Sequence, residues 1–572
     1  MPSLPSKPAI SPVGRRELIV AAAQDAALRA SPSGLSSAAN IDVSSLADVL
    51  DRHGAVLQPL FGVHEDHLKS EAAALAPTAA GEIPDLSVYY NVQAPDANLD
   101  ALAAELRAHD LVDAAYVKPA GQAPIMTPFD ATMLNDMAPL SEDAPPVSPD
   151  FTVRQGYLDA APGGIDARFA WTQAGGRGAG VNIIDCEWAW NLTHEDLAVN
   201  QGAVAVGAAG GDNNHGTAVQ GEMGGTRNAL GITGICSDAF RRFAAFSLPT
   251  ASVIRQAANL LNPGDLLLLE IHRSGPGASG VGQDGYIAIE WWPDDYDAIR
   301  YACSRGVVVV EAAGNGARNL DNAIYDTPAT GFPSGWSNPF RRGARDSGAI
   351  LVGAGAPPPN THGRNWGADR SRLDFSNYGA AVDAQGWGRE VTTTGYGDLQ
   401  GGGNTSVWYT DTFSGTSSAS PIVTGTLACL QGVLKARGRV PLSPARAREL
   451  LRSTGSPQQD ESGRPATQRI GNRPNLRQLI ASATQSSTFA GTQFTATLAA
   501  HQTQRWFTFN WPAHWHVVWT VVSTSPSATA SQLRWRVRVE RASFANITYW
   551  IEVTNLTGAP ITFEARYNVL GW

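Results

Sequence analysis

Apolar and polar positions change their spacing three times along the chain, and each change marks a region. From residue 15 to about 120, short apolar runs alternate with amphipathic stretches. "ELIVAAA", "AVLQPLFG", "LSVYYNVQAP" and "VDAAYVKP" have the length and residue types of strands. "SSLADVLDRHGA" predicts a helix with Ser45 as its cap and Asp48 three positions on, in the manner of a capping box. "NLDALAAELRAHDLV" places Leu99, Leu102 and Leu106 on one helical stripe. The order β-α-β-β-α-β is the split βαβ, ferredoxin-like arrangement, which by itself implies no function.

Residues 121–150 are rich in Pro and Asp without any period and predict an exposed linker, the kind of segment where proteolytic nicking concentrates. Over 151–483 the runs "GVNIID", "DLLLLEI", "GVVVVEAAG" and "GAILVGAG" are almost wholly apolar, as strands buried on both faces of a parallel sheet are. Helix candidates lie between them, such as "PDDYDAIRYACSRG" with Pro293 near its start and Gly306 just past its end. This predicts an α/β sheet with crossover helices. Over 484–572 the helices stop. "QRWFTFNWP", "HVVWTVVSTSP", "QLRWRVRVERAS" and "ITYWIEVTNLTG" alternate at period two between turn signals and predict a small all-β sandwich with its aromatics in the core.

Composition narrows the picture. Charged residues are 16% of 572, while Gly (58) and Trp (16) are plentiful, which suits a loop-rich enzyme and not a disordered or coiled-coil chain. The net charge of −10 comes without a basic stripe, so nucleic acid is not an expected partner. Cys186, Cys236, Cys303 and Cys429 form no C-x-x-C pair, so no zinc site is expected, and their pairing stays open. No apolar run approaches the roughly 20 residues of a membrane span. "GRRELIVAAAQDAALRA" carries Glu17 and is stopped by Asp25, so it reads as a buried strand rather than a signal peptide.

Candidate chemistry collects where parallel strands deliver their carboxyl ends. "GVNIID" ends in Asp185, "DNNHGTAVQGEMGG" sets His215 at a helix start, "VVVVEAAGNG" ends in a turn with Asn315, and "TDTFSGTSSASPIVTG" opens a helix near Ser417. Singly, these are a turn residue, a loop histidine, a turn dipeptide and a helix cap. Together they fill complementary roles: a hydroxyl nucleophile, a base to activate it, a carboxylate to orient the base, and an amide to receive an oxyanion.

These motifs resemble the subtilases, subtilisin-like serine peptidases. "HGTAVQG" looks like the family's His-Gly-Thr motif, "GTSSASP" like its nucleophile motif and "AAGN" like its oxyanion turn, over residues 155 to about 480. The resemblance implies a triad of Asp185, His215 and Ser417 with Asn315 as oxyanion donor, acting as a serine endopeptidase. It also implies that residues 15–120 are a propeptide, an intramolecular inhibitor cut away between Gly121 and Asp150, and that the substrates are proteins or peptides; it favours secretion, although the compartment stays open, and a monomer is expected. No cofactor is expected. A structural calcium ion is possible at Asp196, because "THEDL" resembles a segment that supplies a calcium ligand in some members, although "TRNALG" is shorter than the loop that completes such a site.

Some positions depart from the family pattern. A small residue and a glycine usually follow the triad acid, whereas Cys186, Glu187 and Trp188 stand here. Glu187 admits an acid pair with Asp185 like that of the related sedolisins, against which the intact His-Gly-Thr motif argues, and Cys186 predicts sensitivity to thiol reagents. Glu270 and Glu311 lie near the expected cleft, where a buried carboxylate needs partners; the structural reading is preferred to a substrate-binding one. The rival readings are a non-catalytic subtilase-like protein that binds peptides or surfaces, and an esterase with the same triad.

Overall fold

Alternation along β1 (Glu17–Ala22) decides how the N-terminal region folds. Leu18 and Val20 join a core with Leu46, Leu50, Leu102 and Leu106, whereas Ile19 and Ala21 enter another with Phe61, Ile254 and Trp291. Residues two apart share a face, so a single strand serves both cores. The computed structural model describes residues 14–31, 34–76, 83–125, 144–484, 489–513, 515–525, 531–542 and 546–570. After β1 come the hairpin β2 (Leu28–Ser31) and β3 (Gly34–Ser37), then α1 (Ser44–Arg52), β4 (Val56–Pro59), α2 (Glu65–Leu75), β5 (Tyr89–Gln93), α3 (Leu99–Arg107) and β6 (Val112–Lys118). The sheet order β4-β5-β1-β6, antiparallel throughout, is the split βαβ topology, with the hairpin and α2 as additions the spacing did not indicate. Ser45 is not the cap of α1. Val43 holds that position, the Ser44 N–H donates to Asp42 at 2.9 Å, and Ser45 Oγ meets His109 Nε2 at 2.9 Å.

The expected linker is only partly visible: residues 126–143 lie outside the described residues, Asp150 bridges to Gly231, and the stretch up to Ile125 runs through the cleft described below. Then follow α4 (Ala167–Ala170), β7 (Asn182–Glu187), β8 (Gln201–Val206), α5 (Asn214–Gly224), β9 (Phe240–Ala245), α6 (Thr250–Asn259) and β10 (Leu266–Leu269). A short pair, β11 (His272–Ser274) and β12 (Tyr286–Ala288), precedes α7 (Pro293–Ser304), β13 (Val308–Ala312), β14 (Ile350–Gly355) and β15 (Val382–Trp387). A second pair, β16 (Val391–Thr394) and β17 (Tyr409–Phe413), leads into the long α8 (Thr416–Ala436) and then α9 (Pro444–Ser453). The main sheet is parallel, in the order β15-β14-β13-β10-β7-β9-β8. Its inner strands are fully buried, Leu266 to Leu269 and Val308 to Val310 each at 0% exposure, which explains why they read as unbroken apolar runs.

The C-terminal unit follows α10 (Leu476–Thr484). It comprises β18 (Phe489–Leu498), β19 (Thr503–Pro512), β20 (Val517–Ser523), β21 (Leu533–Arg541), β22 (Asn546–Asn555) and β23 (Ile561–Val569). Two antiparallel sheets, β18-β23-β20 and β19-β22-β21, enclose Leu498, Trp511, Trp519, Tyr549, Ile551 and Phe563. Most of the aromatics are in the core as expected, but Phe507, Phe509 and Trp535 lie on the surface.

Candidate active site

Asp185 and Glu187 lie two positions apart on β7 and therefore share the face that meets α5. Glu187, the last residue of the strand, reaches His215 in the first turn of α5, and its Oε1 accepts a hydrogen bond from Nδ1. Asp185 sits one pleat deeper. Its Oδ2 accepts from Trp190 Nε1 at 2.8 Å and Gln220 Nε2 at 2.9 Å, and its Oδ1 has no partner among the described residues. The structure thus places Glu187, not Asp185, against the imidazole. The reason is geometric: two residues of strand and an extra methylene carry the Glu187 carboxyl to the N-terminal end of α5. Burial, reinforced by the charge of Glu187, pushes Asp185 up to about 7 against the hydrogen bonds from Trp190 and Gln220.

With Nδ1 committed to Glu187, the other ring nitrogen of His215 is left to act; Nε2 is buried and has no hydrogen-bond partner among the described residues. Phe413 packs edge-on to the ring at 5.5 Å between centroids.

Ser417 is the second residue of α8. Gly415 before the helix has φ of 123°, and a Cβ there would come within 2.2 Å of the Pro124 carbonyl oxygen, so only glycine allows the approach. Ser417 Oγ donates to that same oxygen at 2.8 Å rather than to His215. The strand-like stretch that brings Pro124 there belongs to this chain. Gln122 and His272 exchange both backbone hydrogen bonds at 3.0 Å, Ile125 bridges to Gly415, and Arg273 Nη1 donates to the Pro119 carbonyl. A segment just past β6 therefore lies in the cleft as an extended peptide.

Asn315 stands in the turn after β13. Its Oδ1 accepts from the Thr416 N–H and Oγ at 2.9 Å each, its Nδ2 donates to Gln283 Oε1 at 3.0 Å, and its own N–H donates to His272 Nδ1 at 3.3 Å. His272 serves as that acceptor because burial, with the nearby His215, depresses it to about 3. Gln283 and His272 carry no motif and were not singled out in the sequence. Glu187 was in view only as a partner for Asp185, although the two-residue period of a strand marks it as sharing that face.

The subtilase family model matches residues 275–478, a span that holds Asn315 and Ser417. An extracellular serine proteinase of Thermus sp. (strain Rt41A) is 28% identical over 269 residues, covering 46% of this chain and 53% of that protein. Subtilisin-like protease 6 of Trichophyton schoenleinii is 27% identical over 337 residues, covering 54% of this chain and 70% of the relative. Over residues 275–478 the chain is similar to the subtilase family. Among solved structures, fervidolysin from Fervidobacterium pennivorans aligns over 96% of this chain and 69% of its own, at 15% identity and a TM-score of 0.46.

Asp196 does not fit a calcium ligand. Its Oδ1 accepts from Asn228 Nδ2 at 2.9 Å and its Oδ2 from the Ile232 N–H at 2.7 Å, so N–H donors face the oxygens that a cation would need. The residue staples the "TRNALG" loop instead. Cys186 points to the opposite face of β7 from Glu187, among Ile184 and Leu269, which removes the expected route for thiol reagents to act beside the imidazole. All four cysteines are free and buried. Glu311 accepts from the Glu290 N–H at 3.2 Å, in keeping with a structural role, and Glu270 Oε1 accepts from Ser420 Oγ close behind Ser417.

Proposed function

We propose that this chain is a subtilase that hydrolyses peptide bonds as a serine endopeptidase, with Ser417 as nucleophile, His215 as base and Glu187 as the acid that orients the base. His215 Nε2 takes the Ser417 proton as Oγ bonds to the peptide carbonyl carbon, and the C=O electron pair moves onto oxygen. Glu187 keeps the proton on Nδ1, leaving the Nε2 lone pair free, and stabilises the imidazolium that forms. The oxyanion is received by the Ser417 N–H and Asn315 Nδ2, one such donor being worth about 3 kcal/mol of barrier. The imidazolium then returns its proton to the leaving amine, and water repeats the cycle on the acyl-enzyme. A Glu in the acid position serves unrelated hydrolases equally well.

One observation carries this reading: Ser417 Oγ meets the Pro124 carbonyl at 2.8 Å while the peptide that bears it pairs antiparallel with His272. The same observation supports a zymogen, with the N-terminal domain as its inhibitor and Pro124–Ile125 as the bond cut on maturation. The extracellular relative favours secretion, and no described helix is long and apolar enough to cross a membrane. The test is incubation of the purified full chain. The expected result is a new N-terminus at Ile125 in the wild type and an intact Ser417→Ala chain. Normal trimming of Ser417→Ala in the absence of another protease overturns the proposal.

A further inference from the structure

A directed run of hydrogen bonds links the peptide in the cleft to the first turn of α8. The Thr416 amide can only donate, so the Asn315 atom it meets at 2.9 Å is Oδ1. The other end of that carboxamide is then Nδ2, and its partner on Gln283 at 3.0 Å has to be Oε1. Gln283 therefore offers Nε2 to the Ala123 carbonyl, 2.8 Å away, which can only accept. Backbone groups at the two ends settle both amide orientations.

Asn315 Nδ2 carries two protons. Gln283 Oε1 holds one, which leaves the other for an oxyanion on Pro124, the next residue along the peptide from Ala123. The Asn315 side chain is thus fixed from two sides, by Thr416 and by Gln283, and the Gln283 side is anchored on the peptide itself. Gln283 lies half-buried in the glycine-rich connection between β11 and β12 and, among the described residues, has no other side-chain bond to a neighbour that would hold it in place.

We propose that Gln283 is a positioning residue that clamps the peptide carbonyl one residue before the reacting one and, through the same carboxamide, aims Asn315 at the oxyanion. Seating a peptide and preparing the oxyanion site are then one event. The clamp favours substrates with a peptide group at that position over simple esters, which lack it. This inference rests on the peptidase reading above.

The experiment measures kcat and KM on a tetrapeptide amide for the matured wild type, Gln283→Leu, Gln283→Glu, Asn315→Ala and the Gln283→Leu/Asn315→Ala double variant. Thermal melting and labelling by a peptidyl phosphonate check that each is folded. Gln283→Leu is expected to lower kcat about tenfold, a fraction of the loss on removing an oxyanion donor outright. In the Asn315→Ala background the same change should leave kcat as it is. Gln283→Glu keeps an acceptor for Asn315 but sets an acceptor against the peptide carbonyl, so it should raise KM more than it lowers kcat. An unchanged kcat in Gln283→Leu, or losses that multiply independently with Asn315→Ala, overturns the inference while the wild type stays active. A wild type that is neither labelled nor active overturns the peptidase reading and this inference with it.

Discussion

Two clusters of buried carboxyl groups, one behind His215 and one beneath the N-terminal domain, are balanced in opposite ways. Under the domain, Lys118 from β6 reaches Asp294 at 2.5 Å, Asp295 at 2.8 Å and Glu17 at 3.2 Å, and Arg273 reaches Glu17 at 2.9 Å. Burial works against the charge on Glu17, but Lys118 and Arg273 overcome it and hold that carboxyl at about 2. Three acids face two bases, and Asp295 is the one driven up, by burial first and by Asp294 and Glu17 beside it. Behind His215 the acids are Asp185, Glu187, Glu222 and Glu270, and among the described residues no Lys or Arg pairs with them. Burial pushes Glu222 and Glu270 well above the carboxylate range, although the Ser420 hydroxyl pulls Glu270 back. Depth alone does not decide whether an acid is charged; the presence of a cation does. The first cluster joins two parts that separate under the proposed maturation. The second surrounds Glu187 with acids that favour their neutral form and compete little for the imidazole.

The largest test of this contrast compares two acids on one strand. Glu187→Gln turns an acceptor into an amide that donates to Nδ1, which moves the ring proton onto Nε2 and removes the base. Loss of about 10⁴ in kcat is expected, the scale known for the wrong tautomer. Asp185→Asn keeps an oxygen for Trp190 and Gln220 and should stay within about tenfold of the wild type. Both are read from kcat on a peptide substrate. If Asp185→Asn is the more damaging, the assignment of the two acids is reversed.

The next effect is one of stability. Lys118→Met leaves three buried carboxyls to Arg273 alone, and breaking such a pair costs about 3–5 kcal/mol. Thermal unfolding of the full-length Ser417→Ala chain, which cannot cut itself under the proposed mechanism, measures it. The cluster also has a pH signature. Glu17 is depressed, so its contribution is present above its ordinary 4.5 and is lost as pH falls toward 2. Asp295 is raised, so its contribution is present below its ordinary 3.8 and is lost as pH climbs through about 7. Between them they give a maximum near pH 4.5 and a decline toward neutrality, and Asp295→Asn should flatten that decline. A decline that persists unchanged in Asp295→Asn removes this acid from the account.

What the sequence discloses follows from how local each signal is. The strands with unbroken apolar runs and the glycine and proline at the ends of α7 are local, and they were legible. So was Ser417 at a helix start, because a run of small residues around a hydroxyl is rare. The Asp185 reading failed where motif spacing was trusted over alternation: the residue that lies against His215 is the one two positions further on. α2 was missed because "EDHLKSEAAAL" has little contrast between its faces, and only Glu65 and Leu68 in it are buried. The course of Pro119 to Ile125 through the cleft, and the contact of Gln283 with Asn315, join residues from about 30 to nearly 300 apart with no period to announce them.

The smallest effect lies at Glu270, where the contrast between the clusters is most exposed to failure. Its Oε1 accepts from Ser420 Oγ and its Oε2 has no partner among the described residues. A carboxyl raised by burial makes the wild type lose stability as pH rises from the ordinary 4.5 toward its raised value, because the unfolded chain ionises first. Glu270→Gln keeps the acceptor for Ser420 and does not titrate. At pH 5 it should differ from the wild type by no more than about 1 kcal/mol, the scale of one hydrogen bond, and at pH 8 it should be the more stable of the two. Melting both in the Ser417→Ala background separates the outcomes. A difference that is equal at the two pH values means that Glu270 has found its charge a partner, and the acids behind His215 then resemble those beneath the N-terminal domain after all.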